Sequence, residues 1–316
     1  MLGATIWKQD TIFEGNILEY QGAWYRIGEG HKAMLDDKVD DEDYYLLTLA
    51  AVAMELSAWH MTSADVHLAS GLPLTWVSRQ RESYRAYLLK KAQVDFRFNK
   101  VTYHIHFVGC SVYPQGYAAI VRQLSENKDS FSGASMLADI GNGTMNLLYL
   151  RNGRPDESRC WTEKQGVGQC VGMVNKSMMD KYGIQMDEAA VEQVLRIGAG
   201  DMQEKYLNCI LQVAHRYVNR IFDTLRAHGY DPRIMRLWIV GGGGCLVRNF
   251  GTYDASRVTI LDDLCATAKG YEYLAYGQML RKGRAWIKRF MYGCIWITKQ
   301  IKGHGTTCSC SASSSG

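Results

Sequence analysis

The opening of this 316-residue sequence, MLGATIWKQDTIF, has neither the basic start nor the long apolar core of a signal peptide or membrane span, so a cytoplasmic protein is expected. An excess of charge of one sign is missing too. Lys and Arg number 36 against 32 Asp and Glu, and the formal net charge of +4 gathers into no basic stripe. With no helix-turn-helix signature either, direct nucleic-acid binding is not indicated. The nine cysteines form no CxxC and no metal-ligand spacing upstream of the C-terminal tail. Several sit in apolar runs as small core residues, which fits a reducing cytosol. The eight histidines are dispersed. His104 and His106 share one face of the strand VTYHIHFVG, a metal-compatible pair with no third ligand nearby in sequence.

What is present is a globular composition, 47% hydrophobic and 22% charged, at a length that supports two domains with their own cores. Two glycine loops stand out, each following an apolar strand. In MLADIGNGTMNLLYL, Asp139 can fix a magnesium ion through its waters. Gly141 and Gly143 allow φ > 0 and close approach, Asn142 lies between them, and Thr144 adds a hydroxyl donor. The competing reading is a type I′ hairpin on Asn142-Gly143. In RLWIVGGGGC, Gly241, Gly242, Gly243 and Gly244 follow a buried-looking strand, a costly arrangement unless something large lies against the backbone or the turn is very tight.

Along the chain, residues 13–28 read as a hairpin turning at Gly22, and 41–56 as a helix with Asp41 or Asp43 near its cap. A short strand at 65–69, a polar helix over 76–91 and two strands at 92–98 and 101–108 follow. Residues 115–124 read as a helix and 125–132 as a polar linker between lobes. The next part is a meander of strands near 136–140, 145–149 and 157–161. After it come a helix opening at Gly166-Val167-Gly168, a short helix at 187–195 and a long one over 202–228 with Gly229 as its C-cap. Strands at 235–240 and 258–261 and a helix at 266–281 complete an α/β pattern. The tail, RAWIKRFMYGCIWITKQIKGHG, mixes aromatic and basic residues and is interrupted by Gly293. It reads either as a loosely attached terminus or as a helix for a membrane surface or partner.

On ADIGNGTMNLLYL, RLWIVGGGG and the helix between them, the chain resembles the actin-like ATPases of plasmid segregation, the ParM/StbA family. The resemblance covers roughly residues 20–282. It implies an α/β, two-lobed actin-like ATPase fold with ribonuclease H-like lobes. The first lobe would be 1–134, incomplete at its start, and the second 135–265; a helix at 266–283 returns to the first lobe and 284–316 is tail. It further implies bound ATP or GTP with Mg2+, self-association into filaments, and an adaptor protein bound to centromere-like plasmid DNA. Asp139, Gly141, Asn142, Gly143 and Thr144 look like the second phosphate loop, with Asp139 facing the metal. Gly241, Gly242, Gly243 and Gly244 look like the adenosine loop, and Gly166 and Gly168 match the ribose side. Gln115, in CSVYPQGYAA, resembles the residue that orients the attacking water, a positioning role because a neutral amide is no strong base. The residue-level alternative for Gln115 is a helix-start residue at a βα turn. Ala268, Lys269 and Gly270 resemble the returning helix, where a glycine permits tight contact.

The family opens with a first phosphate loop of the same Asp-x-Gly kind, and MLGATIWKQDTIFEGNILEYQG has none: Gly3 lacks the Asp, and Lys8-Gln9-Asp10 lacks the glycines. Either the sequence starts inside a longer gene product or the lineage lost the loop. Truncation is the more natural expectation, because a missing strand leaves ladder groups exposed. Weak nucleotide binding and slow turnover follow. A filament protein for plasmid segregation leads. The alternatives are a non-enzymatic actin-fold interaction module and a small-molecule kinase of the same superfamily, for which the first lobe offers only uncommitted acids such as Asp65.

Overall fold

The computed structural model describes residues 5–8, 15–29, 39, 42–281, 291–292 and 295–296. Gly3, Gln9, Asp10 and Asp41 lie outside the described residues, as does the tail apart from two strand pairs. Two mixed sheets organise the chain. The first holds β1 (Thr5–Lys8), β2 (Asn16–Tyr20), β3 (Ala23–Glu29), β4 (Ser63–Leu72), β5 (Gln93–Phe98) and β6 (Val101–Pro114). With the two-residue strands β12 (Met291–Tyr292) and β13 (Ile295–Trp296), its order is β1-β3-β2-β5-β6-β4-β13-β12. The second is built from β7 (Ala134–Ile140), β8 (Met145–Arg151), β9 (Arg154–Glu163), β10 (Arg236–Val240) and β11 (Val258–Ile260) in the order β11-β10-β7-β8-β9.

Helices cover the apolar sheet faces. In the first lobe α1 (Asp43–Ala58) buries Tyr45, Leu46, Leu49, Val52, Ala53 and Leu56, and with α2 (Leu74–Leu88) it closes a core that includes Leu18, Val66, Leu68 and Phe96. Each such aliphatic side chain, once fully buried, contributes about 1.5–3 kcal/mol against the entropy of folding. The helix starts after Glu42 with no side-chain cap, and Asp43 is its first residue. In the second lobe α4 (Val167–Tyr182), α5 (Glu188–Ile197), α6 (Glu204–Ala227) and α7 (Gly244–Phe250) pack on one face. The buried residues of α6, Ile210, Val213, Ala214, Val218 and Ile221 among them, recur at helical spacing. The stacked rings of Phe131 and Trp238, 4.2 Å apart, anchor the other face.

The two lobes are joined by α3 (Tyr117–Glu126), which leaves β6, and α8 (Ala266–Arg281), which returns. Their crossing is close: a Cβ on Gly270 would stand 1.8 Å from the Ala118 carbonyl oxygen. Tyr271, the next residue, stacks on Tyr113 with centroids 6.1 Å apart and packs over Gly71. The sequence places strands at 65–69 and 101–108. The structure extends them to Leu72 and Pro114, because the two pair in parallel from Ser63↔His104 to Leu72↔Pro114, with one register shift between Val66 and His67.

Each sheet contains a parallel pair, β4/β6 in the first and β10/β11 in the second. In the second sheet β10 has β7 on its other edge, also parallel, and β7 runs straight into residues 139–144. In the first sheet the same edge of β4 is met, among the described residues, by β13, antiparallel and through the single pair Trp296↔Ala69. The exposed edge expected for the first lobe is thus partly covered.

Glu55, on α1, is only 4% exposed. Burial pushes its carboxyl up to about 7, with Glu272 of α8 adding repulsion and a hydrogen bond from Trp59 opposing both. Because the folded form holds this proton more tightly than the unfolded chain, the contribution is fully present below the ordinary carboxyl value and is lost as pH rises through 7. Glu55→Gln therefore gains on the order of 2 kcal/mol over the parent at pH 8 relative to their difference at pH 4.5. Urea titrations at the two pH values measure it, and equal differences at both would contradict it.

Candidate functional site

Asp139 is the half-buried penultimate residue of β7, with Asn146 of β8 and Val240 of β10 as its neighbours across the sheet. The loop beyond it closes through the Gly141 N–H donating to the Thr144 carbonyl at 2.8 Å. Neither Asn142 nor Gly143 has positive φ, so the turn is not type I′, and that reading of the sequence falls. The expectation that Gly141 and Gly143 supply left-handed backbone falls with it, since neither adopts φ > 0. A four-residue loop closed in this way turns without left-handed residues.

The start of α4 holds this loop from behind. The N–H groups of Val167 and Gly168 donate to the carbonyls of Gly141 and Asn142, at 3.0 and 2.8 Å. Gln169 donates through Nε2 to the Gly143 carbonyl at 3.0 Å, while its Oε1 accepts from the Gly166 N–H at 2.8 Å. A Cβ on Gly166 would fall 2.2 Å from the Asn142 carbonyl oxygen. Gly166 and Gly168 thus buttress the loop, and the buried Tyr217 hydroxyl of α6 donates to the Gly166 carbonyl at 2.6 Å to complete the support.

The four glycines after β10 divide by role. Gly241 has φ +86, and its Cβ would lie 2.6 Å from the Ile140 carbonyl oxygen and 2.8 Å from Asp139 Oδ1. Gly243 donates its N–H to the Ile140 carbonyl and leaves no room for a side chain beside Ile140, 2.2 Å away; Gly244 is similarly pressed by Ile260 at 2.9 Å. Gly242 alone meets nothing within 4 Å and has no positive φ. Packing inside the chain therefore accounts for three of the four, and the surface at Gly242 is open to an incoming group.

The first lobe reaches the same carboxylate. Gly116, φ +73, is the residue before α3, and its Cβ would stand 3.0 Å from Asp139 Cβ and 3.4 Å from Oδ2. Beside it Gln115 is fixed by its N–H to the Leu72 carbonyl at 2.8 Å and by Nε2 to the Gly71 carbonyl at 3.3 Å. Those bonds use its backbone N–H and one of the two amide N–H groups, and Oε1 is not engaged by either. A second link runs through hydroxyls: Thr162 Oγ1 donates to Asn146 Oδ1 at 2.9 Å and lies 3.4 Å from Thr75 Oγ1, at the start of α2. The structure thus brings Gly116, Asp139 and Gly241 together, with Gln115 next to Gly116 in the chain, Gly141–Thr144 adjoining and Gly166 and Gly168 behind. Sequence reading missed Gly116, Asn146 and Gln169. Gly116 carried a local signal in the Pro-Gln-Gly turn, and Gln169 carried one in its spacing three residues after Gly166.

Residues 8–117 match the family model described as the N-terminal domain of actin-like proteins. Among solved structures, apo pSK41 ParM is 14% identical, with a TM-score of 0.62 over 87% of this chain and 86% of that one. Ta0583, an archaeal actin homolog, in complex with ADP, is 17% identical with a TM-score of 0.65 over 83% and 89%. Alp12 in its filament structure is 16% identical with a TM-score of 0.59 over 86% and 88%. No curated protein matches. The fold is actin-like.

In this actin-like chain the site draws on side chains and backbone from both lobes. Among the described residues no group of three or more His, Cys, Asp and Glu is arranged to hold a metal by itself, so a cation at Asp139 needs oxygens from water or ligand. Three of the thiols are passive: burial pushes Cys110 and Cys170 up to about 12 and Cys160 up to about 11, which keeps them protonated. Among the described residues no helix is long and apolar enough to cross a membrane.

The division of glycine roles has a direct consequence for stability. Gly243→Ala forces Ile140 to move and costs about 2 kcal/mol, roughly 5 °C in Tm. Gly242→Ala stays within about 0.5 kcal/mol. Thermal unfolding of the two variants checks this, and equal melting temperatures would refute the assignment.

Proposed function

We propose that this chain is a nucleotide-binding actin-like protein that self-associates into ATP-dependent filaments serving plasmid DNA segregation. The observation that carries the nucleotide reading is the convergence of Gly116 from one lobe and Gly241 from the other on the Asp139 carboxylate, beside an open backbone at Gly242. Such a surface accepts a large planar group at Gly242 and an anion with its counter-ion at Asp139 and Thr144. The residues fit Mg2+ and a nucleoside triphosphate in this way. Bound there, the magnesium ion would neutralise phosphate charge. Asp139 would hold the cation, the loop of 141–144 presents backbone held by α4, and Gln115 would position a water through its side-chain amide. Nothing in the glycine loop prefers ATP over GTP.

Filament formation draws support from the Alp12 filament and from a 15-stranded ParM filament with a TM-score of 0.61, which share the fold. Segregation, with an adaptor on centromere-like DNA and a cytoplasmic site of action, rests on the ParM/StbA resemblance. We take the lobes as 1–134 and 135–265, joined by the helix at 266–283. Hydrolysis is slow in this reading, because the edge of β4 carries β13 where the second lobe carries its phosphate-facing strand. That same feature favours, as the second reading, a non-enzymatic module that binds nucleotide without turning it over.

Titration calorimetry of the 316-residue protein with Mg2+ and a non-hydrolysable ATP analogue tests the site. Saturable binding, weakened at least tenfold by Asp139→Ala and at least fivefold by Gly242→Ala, is expected. A folded protein that does not bind, or one in which Asp139→Ala changes nothing, would overturn the reading. Nucleotide-dependent pelleting then separates the filament from the module.

A further inference from the structure

The strand β6 carries two histidines that the nucleotide site does not use. His104 and His106 are two residues apart and project from the solvent-facing side of the sheet, while Tyr103, Ile105 and Phe107 between and beside them fill the core. Asp95 of β5 lies directly across from His104, and Asp65 of β4 directly across from His106. Each pair is joined: His104 Nδ1 is 2.9 Å from Asp95 Oδ1, and His106 Nδ1 is 2.9 Å from Asp65 Oδ1.

A carboxylate only accepts, so the proton of each neutral ring sits on Nδ1, and the lone pair available to a ligand is on Nε2. Both Nε2 atoms lack a protein partner among the described residues. The paired arrangement is therefore more specific than two exposed histidines. Metal-bound imidazoles characteristically donate their second N–H to a carboxylate, which fixes the tautomer and raises ligand basicity. Here both rings are held that way, by acids on opposite neighbouring strands. Positions two apart on a strand stand about 7 Å apart at Cα. Two imidazoles rising from the same face over that span can lean onto one ion with bonds of about 2.0–2.1 Å. The surroundings are favourable for a cation, since two carboxylates flank the rings and the nearby Arg97 is engaged by Glu19 at 2.9 Å.

We propose that His104 and His106 form a two-nitrogen chelate for a transition-metal dication of the nickel, copper or zinc type, with water in the remaining positions. Imidazole ligation selects these ions over magnesium or calcium, so the site is chemically separate from the cation expected at Asp139. Asp65 and Asp95 act as positioning residues that hold the rings. They do not themselves ligate.

The test is calorimetric titration of tag-free full-length protein with nickel(II) chloride, in a Cys308→Ser, Cys310→Ser background so that thiols near the C-terminus do not compete. One ion per chain is expected. His104→Asn and His106→Asn should each weaken binding at least tenfold, and Asp95→Asn about tenfold with unchanged stoichiometry. His60→Asn, an exposed histidine elsewhere, should leave it unchanged. Circular dichroism confirms that each variant is folded. The proposal is overturned if the parent shows no saturable binding, or if His106→Asn binds nickel as the parent does. Neither outcome bears on nucleotide binding, which uses other residues.

Discussion

The crossing of α3 and α8 at Gly270 and Ala118 is the constraint on which the rest of the molecule rests. With no side chain at Gly270, the returning helix lies directly on the main chain of the outgoing one, and the two lobes share a rigid joint. Tyr271 then reaches Tyr113 and Gly71, at the ends of β6 and β4. That contact holds the Gln115–Gly116 turn at the height where Gly116 touches Asp139. The packing of two helices thus decides whether one lobe's backbone meets the other lobe's carboxylate.

The site built on this joint is made mostly of backbone. Its loop is shaped before any ligand arrives, because α4 supplies N–H donors to the loop carbonyls and Gln169 bridges the loop to the helix start. Fixing the loop in the folded state removes an ordering cost from binding. Glycine serves three separate ends here: positive φ at Gly241 and Gly116, lack of room at Gly243, Gly244 and Gly166, and an open face at Gly242. A run of identical residues conceals these differences until their neighbours are known.

Much of the fold was legible in the sequence, because strand alternation and helical spacing are local. The hairpin at Gly22, the long α6 and the strand before the glycine run all followed from periodicity. The ends of β4 and β6 did not, since Ser70–Leu72 and Gly109–Pro114 carry glycine, serine and cysteine that read as loop. They are strands because the two segments, distant in sequence, pair with each other in parallel, and Tyr271 packs on Gly71 and Tyr113 within them. Asp139 and the loops around it were legible as types of residue at a spacing. Gly116 and Asn146 were not, because what brings them to Asp139 is sheet register and the joint between lobes. The placement of β13 beside β4 was equally out of reach, as one backbone pairing between distant segments leaves no local pattern.

The hydrogen bond from Tyr217 to the Gly166 carbonyl ties the loop support to the middle of α6. At 24 residues that helix is about 36 Å long, so Tyr217 stands near the fulcrum of a rod that crosses the second lobe. Each degree of tilt given to the rod at that point moves its ends by about 0.3 Å. A shift of the loop that tilted this rod would therefore be larger at the helix ends than at the loop itself.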